Sequence, residues 1–155
     1  MVKPIFTIGP SPDARAIREE VFIKEQGAVN EFDEADSLSW SLVLYLDDVP
    51  IGTGRLLRID PSKYMIGRIA VRKPFRHQKV GSYLMAFLER KAAEVGATHI
   101  ELHAQCSAIP FYEKNGYHIL GDGEIYYEEG IPHQTMGKTL PRPKKRRYYG
   151  RKKEV

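Results

Sequence analysis

The chain has 155 residues, 42% hydrophobic and 28% charged, which suits one packed domain and leaves little room for two. No apolar run approaches a membrane span and no signal-peptide pattern opens the chain, so neither a membrane-spanning nor an exported protein is expected. The formal net charge of +4 is unevenly placed: Arg142, Lys144, Lys145, Arg146, Arg147, Arg151, Lys152 and Lys153 face one acid, Glu154, at the end of the chain.

The body, 1–140, is therefore slightly acidic, and 141–155 reads as a basic, mobile tail with few residues able to enter a core. A single cysteine, Cys106, excludes an internal disulfide and makes a reducing cytoplasm the expected compartment.

The first predicted element is a helix. Ser11 is a good N-cap, Pro12 suits the first helical position, and Ala14, Ile17 and Val21 keep helical spacing to about Gln26, where Gly27 ends it. Residues 30–39 are acidic and polar and read as a loop. Trp40 to Leu46 and Ile51 to Ile59 form a hairpin around Asp47-Asp48-Val49-Pro50, and Tyr64 to Val71 extends it to a three-strand meander.

Val80 to Val95 is the clearest helix, with Val80, Leu84, Phe87, Leu88 and Val95 on one face and Gly96 as its stop. His99 to His103 is a short strand. A short helix from Ala108 to Lys114 closes at Asn115-Gly116, and two late strands, 117–120 and about 134–140, follow. Early antiparallel strands and a later strand-helix-strand crossover define an α/β fold with a mixed sheet.

Chemistry concentrates at residues 67–82. The strand ends in Gly67-Arg68-Ile69-Ala70-Val71, a polar basic loop containing Arg76, His77, Gln78 and Lys79 follows, and a helix starts at Val80-Gly81-Ser82. A strand delivering a basic loop to a helix N-terminus is a way to hold a phosphate. The loop lacks the Gly-Lys-Ser/Thr ending of a P-loop and the Gly-x-Gly-x-x-Gly of a dinucleotide fold. An ordinary solvated connection is the plain alternative.

With two further pieces the chain resembles the GNAT superfamily of acetyl-CoA-dependent N-acetyltransferases, and within it a small bacterial subgroup. Gly67 to Val71 is similar to that family's fourth strand. Arg76 to Gly81 is similar to its Gln/Arg-x-x-Gly-x-Gly/Ala pyrophosphate loop. Ala108-Ile109-Pro110-Phe111-Tyr112-Glu113-Lys114-Asn115-Gly116-Tyr117 is similar to its Phe-Tyr-Glu-Lys-x-Gly segment. The segments Arg18 to Gln26 and Glu129 to His133 carry the likeness to the subgroup. Lys79 stands where the family has its first loop glycine, and a Cβ there raises the conformational cost if φ must be positive. Gln105 stands where the family often has asparagine.

The resemblance implies a mostly antiparallel central sheet splayed between two parallel strands, 64–71 and 98–103, and flanked by helices. It implies acetyl-CoA as acetyl donor and a small-molecule or peptide amine as acceptor. The pantetheine would pair with the backbone of Ile69 and Val71, beside Ala70. The pyrophosphate would sit on the amides of His77, Gln78, Lys79, Val80, Gly81 and Ser82, with Arg76 and Lys79 supplying charge and Gln105 nearby. The Val71 amide would stabilise the oxyanion, and Tyr112 would act as general acid to the departing thiolate.

For the base, Glu25, Glu101, His103, His133 and a water chain all remain open. Glu25, His103 and His133 are also candidates for acceptor contacts. The acids Glu25, Glu31, Asp33, Glu34, Asp36, Glu128 and Glu129 point to a cationic acceptor.

No metal is expected. His99 and His103 would lie about 13 Å apart on a strand, too far to share an ion. Cys106 reads as a structural, half-buried residue, since direct attack of an amine on a thioester needs no enzyme nucleophile. A second reading is a non-catalytic module that senses CoA or binds nucleic acid through the basic tail.

Overall fold

The computed structural model describes residues 1–29 and 31–141; the basic segment from 142 onward, with its nucleic-acid reading, lies outside the described residues. Strand β1 (Val2–Ile8) precedes the first helix and was not expected from the sequence. Pro4 breaks the strand pattern there, yet β1 is the sheet's edge, where a residue without an N–H is tolerated.

Helix α1 (Pro12–Arg18) starts as expected: Ser11 Oγ accepts from the Ala14 N–H at 3.2 Å. From Glu19 to Glu25 the helix continues with π geometry, and Gly27 ends it at φ +78°. The acidic stretch expected as loop contains a short 3-10 helix, Glu34–Leu38.

Strands β2 (Trp40–Leu46) and β3 (Val49–Arg58) form a hairpin whose turn residues have positive φ, 49° at Asp47 and 70° at Asp48, which matches strand twist. β4 (Lys63–Val71) follows, then helix α2 (Val80–Glu94), β5 (His99–Gln105) and helix α3 (Ile109–Lys114). β6 is only His118–Ile119. The Gly- and Glu-rich connection holds a further strand, β7 (Tyr126–Glu128), and the last strand, β8 (Ile131–Thr139), starts earlier than expected.

The sheet order is β1-β2-β3-β4-β5-β8-β6, with β7 also paired to β8. All neighbours are antiparallel except β4 and β5, which run parallel and pair only at Lys63–His99, Tyr64–Ile100 and Met65–Glu101. Beyond that rung they part. A bulge lies on the other side of β4, between Thr53–Ala70 and Arg55–Gly67. There Arg68 takes a left-handed φ of 54°, and bulges of this kind bend the strand that carries them. Gly54 faces the bulge because a Cβ would stand 2.7 Å from a Leu88 methyl and 2.9 Å from an Ile69 methyl.

Helices cover both faces. Leu84, Met85, Leu88 and Ala92 of α2 pack on Leu42, Leu44, Leu56, Ile66, Ile100 and Leu102. Ala14, Ile17 and Val21 of the first helix pack on Val43 and Ala70, as strand alternation requires. Among the described residues no helix is long and apolar enough to cross a membrane.

Leu88 is fully buried against Gly54. Leu88→Ala is therefore expected to lower unfolding free energy by about 2–5 kcal/mol, read as a drop in the urea midpoint with unchanged slope.

Candidate active site

The divergence of β4 and β5 opens a cavity of about 1190 Å³. Its volume exceeds the usual range for a single small ligand. Ile69 and Val71 line one wall, His103 and Gln105 the other, and Tyr112 of α3 and His133 of β8 close it.

The backbone of β4 is presented to this cavity for a specific reason. The Arg72 N–H bonds to the Ile51 carbonyl at 3.0 Å, so Gly52 and Val71 face each other as a non-hydrogen-bonded pair. In such a pair the N–H and C=O of Val71 point away from β3, toward the gap. The carbonyl is taken by Arg76 Nε at 2.8 Å. Among the described residues nothing accepts from the amide, which faces the cavity. Ala70, the alternate residue, is turned to the sheet and buried under α1.

The loop between β4 and α2 ends in the geometry the sequence made costly. Lys79 is the N-cap of α2 with φ 65° and ψ 16°, and His77 has φ 64°. The first-turn N–H groups of α2 have no carbonyl one turn earlier to bond and carry the positive end of the helix dipole. Gly81 is needed in this turn for packing: a Cβ would stand 3.0 Å from the Phe111 ring. The loop motif and the Phe-Tyr segment are thus one packed unit. Val80 is buried in the core, and Ser82 Oγ accepts from the Asn115 amide at 3.4 Å. The Gln78 amide reaches back to the Pro74 carbonyl at 3.4 Å.

Arg76 and Glu25 are not independent. The guanidinium NH1 and NH2 groups hold the two Glu25 carboxylate oxygens at 2.6 Å each, a bidentate pair that pulls the Glu25 carboxyl below its usual range. Glu25 is thereby spent on the loop.

Glu101 lies on the last paired rung, before the strands part, and pairs with Lys63 at 3.3 Å; it is not among the residues lining the cavity. His103 and His133 both line it. Tyr112 is packed edge-on against Phe111 and Tyr117, with centroids 5.1 and 6.1 Å apart. Burial pushes its phenol up to about 12.

Along one wall of the cavity, which Glu31, Arg55 and Arg68 line, lies a charge cluster that sequence reasoning missed. Arg18, only 2% exposed, bonds Glu31 at 2.9 Å and Asp36 at 2.7 Å. Arg55 bonds Asp33 at 2.9 Å and Asp36 at 3.1 Å, and Arg68 reaches Glu31 at 3.1 Å and Asp33 at 3.2 Å. The signal was present: Arg18 falls four residues after Ala14 and three before Val21, on the apolar stripe of its helix. Glu31, Asp33 and Asp36 are engaged with these arginines. Burial raises the Glu31 carboxyl. Burial acts the same way on Asp36, but its hydrogen bonds to Arg18 and the Asp33 N–H and the arginine charges outweigh it and hold Asp36 at about 2.

Among the described residues, no group of three or more His, Cys, Asp and Glu side chains is placed to hold a metal ion.

These features agree with comparisons to known proteins. Residues 10–140 match the family model described as an acetyltransferase (GNAT) domain. The chain is 42% identical over 128 residues to the uncharacterized N-acetyltransferase YjcF of Bacillus subtilis (strain 168), spanning 81% of this chain and 90% of that protein. A candidate N-acetyltransferase from Lactobacillus plantarum has the same fold, with a TM-score of 0.81 and 36% identity over 90% of this chain and 99% of that one. A GNAT family acetyltransferase from Elizabethkingia anophelis with acetyl-CoA bound superposes with a TM-score of 0.68, covering 90% of this chain and 97% of that one at 17% identity, a likeness of fold. The chain belongs to the GNAT acetyltransferase family.

Two predictions follow from the local energetics. Asp36 has a folded value of about 2 against an ordinary 3.8. A depressed carboxylate stabilises the fold above its unfolded value, and that contribution is lost as pH falls through the folded one. Asp36→Asn should therefore flatten the decline in stability that the native protein is expected to show between about pH 4 and 2, as read in urea unfolding across that range. Lys79→Gly should raise the melting temperature, because a left-handed non-glycine residue costs about 1–2 kcal/mol, of which glycine's backbone entropy returns part.

Proposed function

We propose that this acetyltransferase moves an acetyl group from acetyl-CoA to an amine, a small molecule or a peptide amine, by direct attack of the amine on the thioester. The observation that carries this reading is the outward Val71 amide at the mouth of the β4–β5 gap, with the α2 N-terminus on one side and Tyr112 on the other. A pantetheine chain would lie in the gap as an added strand. The diphosphate would sit at the free N–H groups from His77 to Ser82, where Lys79 adds charge. The acetyl-CoA bound to the Elizabethkingia relative supports the choice of donor.

The chemistry is then local. The amine lone pair attacks the thioester carbonyl carbon, and the Val71 N–H donates to the oxygen as it becomes an oxyanion. Collapse breaks the C–S bond. The Tyr112 hydroxyl donates to the departing sulfur. A phenol raised to about 12 stays protonated throughout the neutral range, so it always has its hydrogen to give. Its strength as an acid is low, so it serves best by hydrogen bonding to the thiolate while the attacking nitrogen gives up its second proton.

Tyr112→Phe is expected to lower kcat by about 10²–10⁴-fold, with calorimetric CoA affinity unchanged. No alkaline limb assignable to Tyr112 should appear in the neutral range. A wild-type protein that takes up neither CoA nor acetyl-CoA in calorimetry would overturn the reading, and unchanged turnover of Tyr112→Phe would remove that residue from its role.

A further inference from the structure

At the end of the cavity lined by β5, β7 and β8, His103, Tyr126, Glu128 and His133 form a cluster whose hydrogen bonding fixes one ring nitrogen. His133 is buried, with 7% exposure, and its Nδ1 lies 2.7 Å from the Ile131 carbonyl oxygen. A carbonyl only accepts, so Nδ1 carries the hydrogen. In the neutral ring the lone pair is then on Nε2, which lies 3.7 Å from Glu128 Oε1. The other Glu128 oxygen is taken by His103 Nδ1 at 2.8 Å. The Tyr126 ring stacks on His133, 6.1 Å between centroids and 19° between planes, and meets His103 edge-on at 5.5 Å.

Two acceptors, an imidazole nitrogen and a carboxylate oxygen, thus face each other with no donor from the described residues between them, and both residues line the cavity. A primary ammonium carries three donors and satisfies both. We infer that this pair is the seat of the acceptor, that the acceptor is a primary amine arriving as its ammonium, and that His133 Nε2 is the general base that deprotonates it. The inference rests on the acetyl-transfer reading above.

The step balances. The R–NH3⁺ group gives one proton to Nε2 and becomes a neutral amine whose lone pair forms the C–N bond as described. The second nitrogen proton leaves with the thiolate as thiol. His133 releases its proton to solvent after the product departs, so one proton is produced per turnover.

Glu128, His103, Tyr126 and the Ile131 carbonyl are positioning groups. The carbonyl selects the tautomer, His103 orients the carboxylate, and Glu128 and the stacked ring stabilise the imidazolium that forms. The titratable groups around His133 are Glu128 and Tyr126 of β7, Glu129 of the β7–β8 turn, His103 of β5, and Cys106 at the end of β5, which acts on the Tyr126 phenol. Glu25 and Glu101 are occupied by Arg76 and Lys63, and neither has a comparable open lone pair in the cavity.

The test is thiol release from acetyl-CoA by the full-length protein with spermidine, glucosamine, lysine and a peptide with a free α-amine as acceptors, across pH. His133→Gln is expected to lower kcat by about 10²–10⁴-fold, to retain acetyl-CoA binding in calorimetry, and to lose the acidic limb of the kcat/KM profile. His133→Ala should regain turnover when free imidazole is added. Glu128→Gln, at a half-exposed side chain, should raise the KM for the amine while KM for acetyl-CoA is unchanged, because the ammonium loses its carboxylate acceptor.

Full turnover with the acidic limb intact in His133→Gln overturns the assignment of the base, while the transfer reading stands. If His133→Gln does not fold, an unchanged amine KM in Glu128→Gln overturns the acceptor seat instead. A wild-type protein that transfers to none of the four amines overturns the acetyl-transfer reading, and this inference falls with it.

Discussion

The site depends on how briefly β4 and β5 stay paired. Three parallel rungs hold them at Lys63, Tyr64 and Met65, and then the two strands separate. Had the ladder continued, the Val71 N–H would have been consumed by β5 and the cavity would not exist. The separation has an identifiable cause on the far side of β4, where the bulge opposite Gly54 bends the strand and forces Arg68 into a left-handed conformation. Sheet geometry, rather than a specialised loop, thus creates both the cavity and its unpaired backbone donor.

Arg68 links this bend to the buried charges. The residue that takes the strained φ is also the one whose guanidinium binds Glu31 and Asp33, so the ion pairs help hold a conformation the backbone alone disfavours. Buried ion pairs of this kind add little net stability over apolar packing, but truncating one partner is costly because it strands the other. Their service here is positional: they tie the helix bearing Arg18, the 31–36 segment, β3 and β4 into one wall. Arg76 and Glu25 make a similar tie nearer the surface, joining the π-helical turn to the loop before α2.

Much of this was legible in residue order, and the parts that were not share a cause. Ser11, the Asp47-Asp48 turn, α2 and the Asn115-Gly116 stop are encoded by local rules and lie where those rules put them. β1 was hidden by Pro4, which is acceptable only because the strand is an edge, a fact about the sheet. β7 was hidden among glycines and glutamates, because its three residues gain their pairing from β8. The motif likeness named the loop, Tyr112 and the two strands, and residues of each border the cavity. It could not separate Glu25, Glu101, His103 and His133, since three of them are set by partners far away in sequence, Arg76 for Glu25, Lys63 for Glu101 and Glu128 for His103, while His133 is set by the Ile131 carbonyl that the β8 backbone turns toward its ring. The acidic run 31–36 misled for the same reason, because its arginine partners come from three other elements.

That cluster has an electrical consequence. Three guanidiniums and three carboxylates within a few ångströms of each other sum to no charge, so this part of the cavity wall acts as a set of cancelling dipoles. The carboxylates left without a guanidinium partner on the lining are Glu128 and Glu129 beside β8, while the loop before α2 carries Lys79 and the positive start of the helix. A single opening therefore presents two polarities. Opposite charges held apart on one concave surface steer anionic and cationic groups to different places on it.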